Sequence, residues 1–354
     1  GTLSNGGDTR LPAPHIRNRD GLVAGNGDSL QLDTPWMDNQ GGTVQLAGNG
    51  ALTLNATRLE DNKGNLLSAG ALTLSGDRID LSERHTQAEA LTLTAGTLDH
   101  HQGLLSQRGT GEMAIAVSGD ADNCGGRIES GGNLRVTLAS PDNSGGTLLA
   151  AGSGDLQLQV QETLTNVQGA LQASHNLQLN SAGLSNQQGR ITAISGDATL
   201  TTSQAIDNEQ GRIEAGQQLT LRSQGVDNHS GTVLGEGVTL DTQQGQIGNT
   251  GGNLVARRDL KISSGKTDNS TGLIQSGGDL AINTHDQALI NRDSGKAGIV
   301  SGGALAITSG DFDNQNGVIA AASAATISSA GVTNGDGTLL SDGALTLNSG
   351  AFDN

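Results

Sequence analysis

Aromatic residues, cysteine and long apolar segments are scarce in this sequence. Its 354 residues include one Trp, two Phe and no Tyr, and Cys124 is the only cysteine. A single cysteine cannot form an intramolecular disulfide, so packing and hydrogen bonding must stabilise the fold. The most apolar stretch, around 318–327, is mostly Ala and is shorter than the roughly 18–20 residues that span a bilayer. We therefore expect no membrane insertion by this segment.

Basic residues are also scarce. Lys and Arg number 19 against 36 Asp and Glu, which gives a net charge of −17, and no basic patch stands out along the chain. Binding of nucleic acid or of an anionic membrane surface requires clustered Lys and Arg. We therefore predict neither as a partner. The chain begins at Gly1 without the charged start and apolar run of a secretory signal, which favours an internal segment excised from a longer chain.

Glycine, by contrast, is abundant. The chain has 55 glycines, and each would cost a helix roughly 0.5–1 kcal/mol relative to Ala. This content excludes a helical bundle and leaves a fold made of short strands and turns.

An asparagine, usually followed by glycine three residues later, recurs about every 21 residues. Leu81 and His100 stand at degenerate copies of this position. Self-similarity at this period is typical of a solenoid. We expect the asparagines to lie at sharp turns, where they tolerate left-handed backbone and stack their amides from coil to coil. The predicted structural column consists of Asn18, Asn39, Asn62, Asn123, Asn143, Asn166, Asn186, Asn208, Asn228, Asn249, Asn269, Asn291, Asn314 and Asn334.

Within one repeat, apolar residues alternate in short extended pieces. In residues 208–228, Ile213 lies in the first piece, Leu219 and Leu221 in the second and Val226 in the third, with Gly or polar residues between the pieces. A period of two indicates strands, and turn residues at fixed offsets indicate a chain that folds back at each corner. We therefore predict an all-β fold, a parallel β-helix of about 16 coils forming one segment over residues 1–354, with irregular coils near 82–101 and 286–298.

These residues resemble a known family. Leu52-Thr53-Leu54, residues 208–221 and Asp227-Asn228 are similar to the haemagglutinin-type repeats of filamentous haemagglutinins and large exoprotein adhesins. Those proteins are exported by two-partner secretion and include contact-dependent growth inhibition effectors. The resemblance implies a right-handed β-helix on the exterior of a Gram-negative bacterium, and an outer-membrane two-partner-secretion transporter as the partner during export.

Catalytic chemistry finds little support in the sequence. A polysaccharide lyase or hydrolase on a β-helix would need clustered carboxylates beside a basic residue, usually with aromatic platforms for the sugar. The sequence shows no cluster of Asp, Glu and Arg outside the repeat pattern. We therefore predict no enzyme, no catalytic residue, no cofactor and no metal site. Cys124 and the pair His100-His101 lie at corners, which favours a structural role over that of a nucleophile or a metal ligand.

Acidic residues recur before the corner in six successive coils. Stacked and exposed carboxylates repel each other by about 0.7–1 kcal/mol per pair in a water-like dielectric. Two interpretations remain open, namely local capping of the corner amides and weak binding of divalent cations. The residues are Asp38, Asp61, Asp80, Asp99, Asp122 and Asp142.

Candidate binding residues lie outside the regular pattern. Trp36 is placed outside by alternation with the inward Met37, and it either anchors a partner or packs on the coil. Two breaks in the repeat, 82–89 and 291–298, concentrate charge, and inserted residues there are free to protrude. Arg84, His85, Arg292 and Lys296 are therefore the predicted contacts for any cell-surface partner.

Two functions follow from the sequence. The first is a surface-exposed, non-catalytic stalk of a secreted adhesin or contact-dependent inhibition effector. The alternative is a binding module that recognises a receptor protein or a glycan on a target cell.

Overall fold

Short parallel strands form the fold. The computed structural model describes residues 1–295 and 297–354, and in these residues it contains 43 strands and no helix. The described residues accordingly include no helix that is long and apolar enough to cross a membrane. Contacts divide the chain into two compact units, Gly1–Leu179 and Asn180–Asn354, each built of stacked coils.

The strands are two to ten residues long. The first twenty are β1 Thr2–Asn5, β2 Thr9–Pro12, β3 Ile16–Arg17, β4 Leu22–Gly25, β5 Ser29–Asp38, β6 Thr43–Leu46, β7 Ala51–Glu60, β8 Asn65–Ser68, β9 Ala71–Asp80, β10 His85–Ala88, β11 Ala90–Asp99, β12 Leu104–Gln107, β13 Met113–Asp122, β14 Arg127–Ser130, β15 Leu134–Asp142, β16 Thr147–Ala150, β17 Leu156–Val160, β18 Thr163–Thr165, β19 Ala170–Ala173 and β20 Leu177–Ser181.

The remaining strands follow the same order. They are β21 Gly183–Ser185, β22 Arg190–Ala193, β23 Ala198–Thr202, β24 Ile206–Asp207, β25 Arg212–Ala215, β26 Gln218–Arg222, β27 Val226–Asp227, β28 Thr232–Gly235, β29 Gly237–Asp241, β30 Ile247–Gly248, β31 Asn253–Ala256, β32 Leu260–Ser263, β33 Thr267–Asp268, β34 Leu273–Ser276, β35 Leu280–Asn283, β36 Leu289–Ile290, β37 Gly298–Ser301, β38 Leu305–Asp313, β39 Val318–Ala321, β40 Ala325–Thr333, β41 Thr338–Ser341, β42 Leu345–Ser349 and β43 Phe352–Asp353.

One coil of the second unit shows how the sequence pattern folds. Ile213 lies on β25, Leu219 and Leu221 on β26, and Val226 on β27. All four side chains are buried, because alternate residues of a strand point to the same face. The predicted coil of three strands is therefore confirmed here. In the first unit, the second and third strands of five coils run together as the ten-residue strands β5, β7, β9, β11 and β13.

Equivalent apolar residues stack on one another in register. In the second unit, Ile213 pairs with Val233, and Val233 pairs with Leu254 in the next coil. In the first unit, Leu52 pairs with Leu72 in the same parallel manner. Each coil thus buries its few aliphatic side chains against copies of themselves, so a narrow column suffices as a core. The predicted all-β parallel β-helix is confirmed in both units.

Candidate functional site

We call the recurring asparagine of each turn the corner position, and Asn228 illustrates its contacts. Its side chain is completely buried. Asn228 Nδ2 donates to Asn249 Oδ1 of the next coil at 2.7 Å and to Gly231 O of its own turn at 3.2 Å. Asn228 Oδ1 accepts from Asn208 Nδ2 at 2.7 Å. A primary amide satisfies this buried site because it offers both donors and an acceptor.

The same amide-to-amide bond repeats along each unit. In the second unit it runs without interruption, at 2.7–2.8 Å, through Asn186, Asn208, Asn228, Asn249, Asn269, Asn291, Asn314, Asn334 and Asn354. In the first unit it joins the pairs Asn18–Asn39, Asn123–Asn143 and Asn143–Asn166 at 2.6–2.7 Å.

The left-handed backbone of each turn lies two residues after the corner position. Ser230 has a φ of 54°, whereas Asn228 is not among the residues with positive φ. The expectation that the asparagine itself supplies the left-handed conformation is therefore wrong. The glycine that follows serves close approach, since a Cβ on Gly231 would lie 2.3 Å from Asn208 O. The Asn and the Gly of the repeat thus serve different needs, hydrogen bonding and space.

The third turn of the first unit requires a correction by one residue. Asp61 occupies the corner position, because Asn39 Nδ2 donates to Asp61 Oδ1 and the left-handed residue is Lys63. Asn62 lies one position further and donates to Ser82 Oγ at 2.8 Å. Asn62 is therefore not part of the column. Burial raises the pKa of the Asp61 carboxyl well above its ordinary value, and nearby Asp80 acts in the same direction.

The next two corner positions hold Leu81 and His100, as the spacing predicts. Both side chains are buried. His100 Nδ1 lies 2.6 Å from Asn123 Oδ1 and takes the place of an amide donor, while His100 Nε2 is buried without a hydrogen-bond partner. Burial lowers the pKa of His100, so the ring is neutral at pH 7. Leu81 breaks the hydrogen-bonded column between Asp61 and His100.

The residue before each corner, the pre-corner position, forms an outward column. Strand pairing places Glu60, not Asp61, between Asp38 and Asp80 in this column. The predicted series is therefore corrected to Asp38, Glu60, Asp80, Asp99, Asp122 and Asp142. Several of these carboxylates cap the turn, as Asp122 Oδ1 does by accepting the backbone N–H of Cys124 at 2.8 Å. Capping is thus visible in the geometry, and cation binding along the column stays a prediction.

One group in this region combines an imidazole with two carboxylates. His101 Nδ1 lies 2.7 Å from Asp99 Oδ1, and donor atoms of Asp99, His101 and Asp122 lie within 4.8 Å of one another. The hydrogen bond with Asp99 raises the pKa of His101. The sequence analysis favoured a structural role for the pair His100-His101 over metal ligation and did not connect His101 with Asp99, two residues before it, or with Asp122, one coil later.

Cys124 lies one coil after His101, at the equivalent position of its own turn. Burial and the neighbouring Asp122 raise the pKa of its thiol to about 12. The thiol is protonated at pH 7 and is a poor nucleophile. This agrees with the structural role predicted for Cys124.

Trp36 packs against the surface of its own coil stack. Its ring centroid lies 3.9 Å from that of His15 in the preceding coil, at an interplanar angle of 45°, and the guanidinium of Arg17 lies 5.8 Å from the centroid. The indole Nε1 is buried without a hydrogen-bond partner. Trp36 is therefore a half-buried, outward-facing aromatic group flanked by cationic and imidazole side chains, and its role as a contact stays a prediction.

The first predicted break contains no inserted loop. Residues 85–88 form β10, which pairs in regular parallel register with β8 and β12. The expectation of protruding residues over 82–89 is wrong, because Leu81 replaces the corner asparagine without changing the path of the chain. Arg84 is exposed, and His85 is half-buried with its Nε2 unpartnered.

The second predicted break contains extra residues. Ile299 follows Asn291 by eight positions, whereas its strand partner Ile319 follows Asn314 by five, so this turn has three additional residues. Arg292 is exposed and forms an ion pair with Asp313. Lys296 lies outside the described residues. Binding by Arg84, His85, Arg292 and Lys296 stays a prediction.

The second unit also holds a basic depression that the sequence analysis missed. Its volume is about 490 Å³, and its charged lining residues are Arg257, Arg258, Lys261 and one acidic residue, Asp259. Both arginines face Glu236, at 4.0 and 3.6 Å. The adjacent Arg257 and Arg258 are visible in the sequence, but only the stacking of coils brings them beside residues from the preceding turn.

Comparisons with known proteins agree with this architecture. The haemagglutinin repeat family model matches residues 1–34, 37–84, 84–125, 118–166, 130–210, 193–251, 239–293 and 298–354. The protein named Toxin CdiA from Yersinia pestis is 33% identical over 118 residues, which cover 30% of this chain and 4% of that protein. The matched part is thus a small fraction of that relative's length. No solved structure matches the chain.

Proposed function

The chain belongs to the haemagglutinin repeat family, and from this membership we propose that it is a non-catalytic stalk segment of a secreted bacterial adhesin or contact-dependent inhibition effector. The stalk would lie on the exterior of a Gram-negative cell and hold other parts of the protein away from the membrane. An outer-membrane two-partner-secretion transporter is the proposed partner during export. The similarity to Toxin CdiA supports the growth-inhibition branch of this proposal.

The observation that carries the stalk proposal is the repetition of buried positions in register. Along the second unit, Ile274, Ile299 and Ile319 occupy the same position of successive coils and are fully or almost fully buried. The corner asparagines repeat with them, so each coil is held by the same contacts as its neighbours. A spacer needs such equivalent coils, because each added coil lengthens the stack through the same contacts with its neighbours and no coil needs a function of its own.

The test is to add the purified 354-residue chain to intact target cells. A stalk without a ligand of its own should give no saturable labelling while its circular dichroism and melting show a folded β protein. A control stalk with residues 208–227 deleted should fold as well, because one coil is removed and the neighbouring coils meet in register. Saturable labelling by the folded chain would contradict the stalk proposal.

The alternative function, a binding module for a receptor protein or a glycan, is favoured by two surface features. One is Trp36 with His15 and Arg17, and the other is the depression lined by Arg257, Arg258 and Lys261. Aromatic and Arg side chains are the groups that most often dominate binding energy. Both features occur in a chain with few aromatic and basic residues.

Variants at these positions separate the two functions. If labelling occurs, the Trp36→Ala and Arg258→Ala variants should reduce it, and the substitutions Arg84→Ala, His85→Ala, Arg292→Ala and Lys296→Ala test the contacts predicted from the sequence. Arg222→Ala is the matched control, because Arg222 is an exposed arginine that lies 3.7 Å from Asp241 outside these features. Undiminished labelling by all folded variants would place recognition elsewhere.

A further inference from the structure

We propose that Asp99, His101 and Asp122 form a binding site for a divalent transition-metal ion of the Zn²⁺ class. The site goes beyond the stalk function and does not depend on it. It would link two successive turns of the first unit, since Asp99 and Asp122 are partners in the strand pairing of β11 and β13.

The donor atoms already converge without an ion. One nitrogen of His101 and one oxygen of each carboxylate lie within 4.8 Å of one another, and this is the only such group of three or more His, Cys, Asp or Glu side chains in residues 1–295 and 297–354. All three residues are only half-buried, so an ion can reach them and keep water on its open positions. Small rotations of these half-buried side chains would bring the donor atoms to the distances of about 2.0–2.2 Å from the ion that zinc requires.

The kind of donor decides the kind of ion. Calcium and magnesium prefer oxygen ligands, whereas imidazole nitrogen favours zinc and its neighbours in the transition series. His101 distinguishes this turn from the others in the unit, because Asn62, Ser82 and Ser144 occupy the equivalent position. The acidic column alone would favour calcium, and the imidazole changes the preference.

The charges around the site also favour a cation. Some other pre-corner carboxylates face arginine, as Asp38 faces Arg19 at 2.9 Å, whereas Asp80 and Asp142 form no ion pair with Lys or Arg among the described residues. Among the described residues, Asp99 and Asp122 form no ion pair with Lys or Arg. A bound divalent ion would supply at Asp99 and Asp122 the charge compensation that Arg19 supplies at Asp38.

A carboxylate also lies near the second nitrogen of His101. His101 Nε2 lies 3.8 Å from Glu83 Oε1, on the side of the ring away from Asp99. A metal-bound imidazole commonly donates its other N–H to a carboxylate, which fixes the ring and strengthens its donor nitrogen. Glu83 comes from the preceding turn, and since 3.8 Å is longer than a hydrogen bond, a small rotation of its side chain would let it accept that bond.

The experiment titrates the 354-residue chain with ZnCl₂ by calorimetry, and with CoCl₂ by visible absorption. One saturable site per chain is expected, with a Co²⁺ absorption band that Zn²⁺ removes, and with Zn²⁺ affinity at least tenfold above that for Ca²⁺. The variants His101→Asn and Asp122→Asn should each lower Zn²⁺ affinity at least tenfold. The side chains they introduce suit a turn, since Asn62 already occupies the position equivalent to His101.

The matched control is His175→Asn. His175 Nδ1 lies 2.9 Å from Asp155 Oδ1, so this pair offers one imidazole and one carboxylate but no converging second carboxylate. The His175→Asn variant should bind Zn²⁺ as tightly as the unaltered chain. The proposal is overturned if the folded chain binds no Zn²⁺ at millimolar concentration, if His175→Asn loses as much affinity as His101→Asn, or if Ca²⁺ binds the same residues equally well.

Discussion

The corner column of the second unit contains asparagine in every turn, whereas that of the first unit contains Asp61, Leu81 and His100 in three consecutive turns. The backbone is the same in both cases. The left-handed residue follows two positions later, at Lys63, Glu83 and Gln102, with φ between 52° and 59°. Hydrogen bonds between turns also persist, since Glu83 N donates to His101 O at 3.0 Å.

The difference separates what shapes the coil from what stabilises it. Stacked aliphatic residues and the backbone ladder determine the path of the chain, because the turn at Leu81 keeps its course without an amide. The asparagine column adds hydrogen-bond satisfaction at a buried position. Titratable side chains occur in the corner column only where asparagine is replaced, at Asp61 and His100. Substitutions that exchange asparagine and aspartate between the two units therefore test the comparison.

The largest effect is expected from Asn228→Asp, which places the substitution of the first unit in the regular column of the second. The aspartate would keep the bond from Asn208 Nδ2 but lose both donors, and it would set a buried charge against Asn249 Oδ1. An uncompensated buried charge typically costs about 3–5 kcal/mol. Urea unfolding at pH 7 should show a loss of this size.

Asn283→Asp is the control for that substitution. Asn283 is exposed and its Oδ1 accepts the backbone N–H of His285 at 2.9 Å, which a carboxylate does equally well. A change within about 0.5 kcal/mol is expected, as for most surface substitutions. Equal losses in the two variants would contradict the burial argument for the corner.

Asp61→Asn is the reverse exchange and should stabilise the chain at pH 7 by about 1–3 kcal/mol, since it removes a poorly compensated buried group. In the folded state the pKa of Asp61 is raised above its ordinary value of 3.8. The unaltered chain therefore loses stability as the pH rises from 3.8 through the raised pKa. The advantage of the variant should therefore grow from pH 4 to pH 7. An advantage that is constant with pH would show that Asp61 does not titrate as described.

His100→Asn should show the opposite pH dependence. Because the pKa of His100 is lowered in the folded state, the unaltered chain loses stability as pH falls below the ordinary value of 6.5. The variant has no imidazole at this position and lacks this loss, so its stability relative to the unaltered chain should rise between pH 7 and pH 5. Paired thermal melts at the two pH values measure it.

The sequence was sufficient to predict the architecture because the β-helix repeats its own contacts. The alternation seen at Leu219 and Leu221 and the spacing seen at Asn228 recur in most coils, so the strands and turns are indicated many times over. Single deviations are not repeated and were harder to place. The sequence Asp61-Asn62 fits the corner in two registers one residue apart, and it takes structural contacts such as that of Asn39 with Asp61 to decide between them.

The candidate sites depend on distances that the sequence does not contain. Residues 82–89 lack both the Asn and the Gly of the repeat, yet the chain keeps its strand, because the buried Leu81, Thr86 and Ala88 still fill the interior. The convergence of Asp99, His101 and Asp122 arises from residues 23 positions apart that stacking brings side by side. The register between coils, rather than the composition, determines both the regular path of residues 82–89 and the convergence of Asp99, His101 and Asp122.

The smallest expected effect is the coupling between Asp61→Asn and Leu81→Asn. Alone, Leu81→Asn should destabilise the chain, because it removes a buried aliphatic side chain and sets an amide oxygen against the Asp61 carboxyl group. Combined with Asp61→Asn, it restores donors along the column, and its amide can donate to the unpartnered His100 Nε2. A double-mutant cycle in urea at pH 7 should give a favourable coupling of about 0.5–2 kcal/mol, in the range for side chains that share one hydrogen-bond network.

Replacing Asn348, which is exposed, with Ala in the same cycle should show no coupling to Asp61→Asn. Additive effects of Asp61→Asn and Leu81→Asn would mean that the interrupted turns are held by apolar packing alone, and that an amide column cannot be rebuilt there.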